Sequence, residues 1–101
     1  MSEAVQVSPP AAHRRLTLIE AMSLARQSVA LFTDLPVDAV VSCKRHEEGW
    51  RVILDVVEAA ARLGDNDLLA TYEMMLNADG DVETFERLRR YHREDMTEAR
   101  P

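Results

Sequence analysis

The chain has 101 residues, with 12 Lys plus Arg against 18 Asp plus Glu and a formal net charge of −6. That length suits one domain, which buries roughly two-thirds of the unfolded surface and needs no metal or disulfide to hold a core. Hydrophobic residues at 47% and charged residues at 30% exclude a predominantly disordered chain, and the acidic balance excludes a nucleic-acid binder that works by bulk charge alone. Cys43 is the single cysteine, so no internal disulfide forms and a reducing, cytoplasmic setting is expected. Residues 1–15 read as a flexible lead-in: Pro9-Pro10 and small residues dominate, and no basic stretch precedes an apolar one as in a secretory signal. No apolar run is long enough to span a bilayer.

The first predicted element starts after Thr17, where Thr17-Leu18-Ile19-Glu20 has the form of a capping box. Leu18, Met22, Ala25, Val29 and Phe32 recur at steps of three and four, which predicts a helix over Leu18 to Thr33. Pro36 ends it, because the residue before a proline is pushed out of the helical region. The period then becomes two. Val37, Ala39, Val41 and Cys43 predict a half-buried strand, His46-Glu47-Glu48-Gly49 a turn with Gly49 at positive φ, and Trp50, Val52, Leu54 and Val56 a second strand. Ala59 to Ala61 suits either a strand end or a helical turn. Gly64 to Asp67 reads as a loop and Leu68 to Leu76 as a third strand. Asn77-Ala78-Asp79-Gly80 reads as a tight turn. Val82 to Tyr91 suits a helix or a strand, and the preceding turn favours a strand pairing back on the third, with a bulge. The tail, 94–101, is polar and expected to fray.

The expected fold class is α+β: one N-terminal helix packed on a four-stranded antiparallel β-meander, occupying residues 16–93. With Trp50, Val52, Leu54, Tyr72 and Met74 facing the helix, Val40, Ile53, Val57, Leu69 and Met75 face away. That second face is more apolar than a solvated sheet face requires. It reads either as a partner or self-association surface, or as a face that the chain ends fold over.

Five stretches taken together, Gly49-Trp50-Arg51-Val52, Val56-Val57-Glu58, Leu69-Ala70-Thr71-Tyr72-Glu73, Leu76-Asn77-Ala78-Asp79-Gly80 and Arg87-Leu88-Arg89-Arg90-Tyr91, resemble the gas vesicle protein O family. The resemblance runs from Leu16 to Arg93. It implies a non-enzymatic accessory protein for the assembly of gas vesicles, acting in the cytoplasm through contacts with other gas vesicle proteins. An alternative is a regulator of gas vesicle gene expression. The alanine-rich Ala59 to Gly64 departs from the more polar, proline-containing loop expected there.

Charge is segregated: 13 acidic and 4 basic residues lie between Asp34 and Glu86, and Arg87, Arg89, Arg90 and Arg93 follow within seven residues. These arginines either pair with neighbouring acids such as Glu73, or form a basic, Tyr91-flanked edge that docks an acidic segment of a partner. Candidate contact residues are therefore Arg87, Arg89, Arg90 and Tyr91 on the edge, with Ile53, Val57, Leu69 and Met75 on the open face. Nucleic acid is an unfavourable partner, because the remaining acids repel phosphate. Cys43 and His46 have metal-like spacing, but a structural zinc needs four ligands and no second pair exists. With three glycines there is no phosphate loop, and no Ser-His-Asp order is recognisable. Asp55 and Glu73 read as isolated strand acids, solvated or paired. No metal, cofactor or catalytic residue is expected.

Overall fold

The structure, a computed structural model, describes residues 15–98. Helix α1 (Leu18–Val29) is followed by four strands, β1 (Val37–His46), β2 (Gly49–Ala59), β3 (Leu68–Leu76) and β4 (Val82–His92), and by a short helix α2 (Arg93–Glu98). The strands pair antiparallel in chain order as one sheet. The α+β meander under one helix is therefore the fold. Residues 82–91, open between helix and strand in the sequence, lie in the fourth strand. Residues 94–98, read as tail, form with Arg93 the short helix α2.

Thr17 caps α1 as its spacing predicts: the Glu20 N–H donates to Thr17 Oγ1 at 3.1 Å, and the Thr17 N–H donates to Glu20 Oε1 at 2.9 Å. The helix ends at Val29, and a turn carries the chain to Thr33 through the Phe32 and Thr33 N–H groups, which donate to the Val29 carbonyl. Its buried residues are Ala21, Ala25 and Val29: Ala25 and Val29 lie on the predicted stripe, Ala21 was not on it, and Leu18, which was, is 47% exposed. Small alanines at this contact let the helix backbone lie close to the sheet. Beneath it, Trp50, Val52, Leu54, Val56, Ala70, Met74 and Leu76 complete the core.

The β1–β2 turn departs from expectation. Positive φ falls on Glu47 (55°), not on Gly49. Gly49 is required for a different reason: a Cβ there would lie 1.9 Å from the Leu76 carbonyl oxygen. Gly80 does have positive φ, 91°, and sits under the Leu16 and Leu24 side chains, which ties the β3–β4 turn to the helix.

Strict alternation fails on β1. Register shifts between Val37 and Ala39 and between Val40 and Ser42 insert two extra residues. Val37, Val40 and Cys43 then pack on the core, and Val41 is 52% exposed. The expectation that Val40 faces away from the helix is therefore overturned: each bulge adds a residue and turns the pleat over.

Candidate functional site

The predicted basic edge is divided between the two faces of the sheet. β4 carries a bulge at Leu88, opposite the step from Tyr72 to Thr71. Before the bulge, Phe85 pairs with Met74 and Arg87 with Tyr72, on the helix side. After it, Arg89 pairs with Thr71 and Tyr91 with Leu69, on the far side, and Arg90 returns to the helix side opposite Ala70. Phe85, Arg87, Arg89 and Tyr91 thus do not share one face, contrary to the strict-alternation reading.

On the helix side, Arg87 and Arg90 converge on Glu58, at 3.6 Å and 2.6 Å. Both guanidiniums remain about half exposed, with side chains 44% and 53% accessible. Next to them Phe85 stacks between Tyr72 and Phe32, with ring centroids 4.5 Å and 4.6 Å away. Trp50 is a core anchor, as expected, and its ring carries the Arg45 guanidinium at 4.5 Å.

The far face has two unlike halves. At the end where β1 starts and β4 finishes, it is closed by polar groups. Asp55 on β2 is 3% exposed. Its Oδ1 accepts from the Thr71 hydroxyl at 2.6 Å and its Oδ2 from the Tyr91 hydroxyl at 2.5 Å. Burial, then the bond to Asp55, pushes the Tyr91 phenol up to about 12. Arg89 lies over the Tyr91 ring at 4.6 Å. Arg93 reaches across to β1, donating to Asp38 Oδ1 at 3.0 Å, and also to Asp67 Oδ2 at 3.0 Å. The Ala61 N–H first, and Arg93 second, hold the Asp67 carboxyl below its usual value. Asp55 is thus no isolated solvated acid. Leu69 faces away from the helix as expected, but it is 1% exposed beneath this layer and is a packing residue, not a surface.

Over the other half of the far face no element packs among the described residues. Ile53 and Met75 are half-buried there, with Arg51 and Glu73 paired beside them. Glu73 therefore pairs back to β2 and not to the arginines of β4; its opposite number on β4 is Glu86. Val57, also half-buried, lies beyond Asp55 at the closed end of the face, opposite Leu69. At the hairpin end a groove of about 420 Å³ is lined by Glu47, Glu48, Asp79, Glu83 and Met75, among others.

Sequence reasoning missed Asp55, Thr71, Asp38 and Arg93 as a connected layer. One local signal marks it: Asp55 stands inside the apolar run Val52 to Val57, and an acid in a buried strand needs donors. Thr71 and Tyr91 give each oxygen of the Asp55 carboxylate one donor. Among the described residues no group of three or more His, Cys, Asp or Glu is placed to hold a metal ion. Burial pushes the Cys43 thiol up, away from the reactive thiolate. The surfaces offer contact chemistry: guanidiniums, an aromatic stack and a half-apolar sheet face.

Across residues 4–97 the sequence matches the family described as gas vesicle synthesis protein GvpO. The chain belongs to the gas vesicle protein O family. It is 32% identical over 91 residues to gas vesicle protein O1 of Halobacterium salinarum, which covers 90% of this chain and 76% of that one. It is 37% identical over 65 residues to gas vesicle protein O of a Streptomyces species, 64% of this chain and 51% of that one. It is 30% identical over 82 residues to gas vesicle protein O of Haloferax mediterranei, 80% of this chain and 59% of that one. No solved structure matches the chain. The family is the one that the stretches around Trp50, Tyr72, Gly80 and Arg89 resemble, and it makes this a protein involved in gas vesicles. Among the described residues no helix is long and apolar enough to cross a membrane.

Proposed function

We propose that this member of the gas vesicle protein O family is a non-enzymatic accessory factor for gas vesicle assembly, working in the cytoplasm by binding other gas vesicle proteins. The observation that carries this reading is the hairpin half of the far face, where Ile53 and Met75 are only half-buried and no helix lies over them among the described residues. A sheet face left partly apolar is a contact surface by default. The β4 rim, with Arg87, Arg89, Arg90 and Tyr91, is the second contact surface. Val57 and Leu69 lie at the other end of this face, beyond Asp55 and Thr71.

The reading is tested by deleting the gene in a vesicle-forming host and complementing with variants. Loss of vesicles with shell-gene transcripts unchanged supports an assembly role. Loss of the transcripts themselves supports the regulatory alternative instead. Capture of other gas vesicle proteins by the purified chain is expected to weaken in Arg87→Gln/Arg89→Gln/Arg90→Gln. Undiminished capture removes the rim from the mechanism.

A further inference from the structure

On the helix side of β4 the charges do not balance. Arg90 Nε lies 2.6 Å from Glu58 Oε1, a close ion pair, whereas Arg87 Nη1 lies 3.6 Å from Glu58 Oε2, beyond hydrogen-bond distance. Two guanidiniums thus share one carboxylate, and the Arg87 guanidinium makes no hydrogen bond among the described residues. Asp34, in the connection after Phe32, pairs with neither arginine among those residues. Apolar surface adjoins Arg87. Tyr72 is its cross-strand partner, and Phe85 precedes it by two residues on the same face. Helix α1 packs over β1, β2 and β3, and the turn after it lays Phe32 on Phe85. Phe32 stays about half exposed, and its neighbour Leu31 is exposed.

We propose that Phe32, Phe85 and Arg87 form a docking site for an acidic segment of another gas vesicle protein, one that carries an aromatic or aliphatic side chain beside its carboxylate. The carboxylate completes Arg87, whose planar fork can hold it through two N–H groups. The apolar side chain lies against Phe32 and Leu31. Phe85 and Arg87 are two residues apart on one strand, about 7 Å, which is also the separation of residues i and i+2 in an extended partner. Glu58 shows that a carboxylate fits between these guanidiniums, and it competes with the partner. An incoming acid draws Arg87 away and leaves Glu58 to Arg90. The rest of this chain does not supply the acid: residues 1–14 carry Glu3 against Arg14, and residues 99–101 carry Arg100. The inference rests on the reading of the β4 rim as a contact surface and narrows it. The site lies on the helix side, and Arg89 and Tyr91, on the far side, are outside it. Its charges are partly exposed, so the contact is weak taken alone.

The test is a nuclear magnetic resonance titration of the isotope-labelled full chain with a capped synthetic peptide, Gly-Phe-Ser-Glu-Ser-Glu-Gly. The expected result is a shift of the Leu31, Phe32, Tyr72, Phe85 and Arg87 amides with a Kd of about 1 mM at about 50 mM salt, weakening at about 500 mM. Peptides with Gln for both Glu, or Ser for Phe, are expected to bind several-fold more weakly. Arg87→Gln is expected to weaken binding roughly fivefold or more, and Glu58→Gln to tighten it roughly threefold by removing the competing carboxylate. A gain of affinity cannot come from a variant that fails to fold. Lys44→Gln, which removes the same charge from the opposite rim, is expected to change nothing. Absence of any shift at about 5 mM peptide in low salt overturns the inference. So do equal binding of the Gln peptide, an affinity that Glu58→Gln leaves unchanged or lowers, and shifts centred on Ile53 and Met75. Movement of the same amides with chain concentration alone would make the occupant a second copy, and tighter binding of a short oligouridylate would make it a nucleic acid. Either result also overturns the proposal. None of these outcomes bears on whether gene deletion abolishes vesicles, so the assembly role stands or falls separately.

Discussion

At the scale of single residues, Asp55 is the group on which most depends. Removing its carboxylate takes the acceptor from the buried Thr71 hydroxyl and breaks the bond to Tyr91. Asp55→Ala is therefore expected to cost about 3 kcal/mol, against about 1 kcal/mol for Tyr91→Phe, which deletes one donor and leaves the Thr71 bond. Urea titration of both variants and the double variant checks this, with the two losses less than additive because they share a bond. The phenol makes a pH prediction with a definite sign. An unfolded tyrosine titrates near 10. The folded Tyr91 holds its proton up to about 12. The stabilisation linked to this proton is complete below pH about 10 and is lost as pH climbs toward about 12. In a Tyr72→Phe background Tyr91 is the remaining tyrosine of the chain's two. Its absorbance midpoint should fall when Asp55 is also replaced by Ala, and an unmoved midpoint contradicts the bond.

At the scale of elements, the two ends of the first hairpin turn differ sharply. Glu47 occupies the left-handed region at a cost that glycine does not bear, so Glu47→Gly is expected to stabilise by about 0.5–1 kcal/mol. Gly49→Ala drives a methyl into the Leu76 carbonyl and is expected to cost more than about 3 kcal/mol, or to prevent folding. Thermal melts of the pair decide both, and equal shifts would refute the assignment of roles. The helix, the first three strands and the Asn77 to Gly80 turn were legible because periodicity and turn chemistry are local, while the fourth strand was favoured over a helix only by the turn before it. The bulges were not. A bulge leaves the residue types unchanged and appears only as a lost beat, so Val40 and Val41 exchange faces without any compositional sign. The same blindness hid the candidate site. Whether Arg87 shares a face with Arg89 or with Arg90 is decided by the bulge at Leu88, and one of the two donors to Asp55 is Tyr91, 36 residues away.

At the scale of the whole molecule, Arg93 joins the end of β4 to the start of β1 through Asp38, and to the β2–β3 connection through Asp67. Its N–H also donates to the Asp67 carbonyl at 2.9 Å. Arg93→Ala should leave the core intact and loosen that end. Hydrogen exchange is expected to quicken at Asp38 and Ala39 and around Asp67, with protection at Val52 and Met74 unchanged. Uniform loss of protection would mean that the arginine supports the fold as a whole. The bulges near both rims have a consequence at this scale too. β1 is interrupted twice, and β4 is interrupted at Glu83 and again at Leu88. Neither rim offers an even ladder for another strand to extend. The bulges therefore make edge-to-edge addition of another strand unfavourable on both rims. The same residues that turn the side chains over also work against the sheet being extended, copy upon copy, into a fibre.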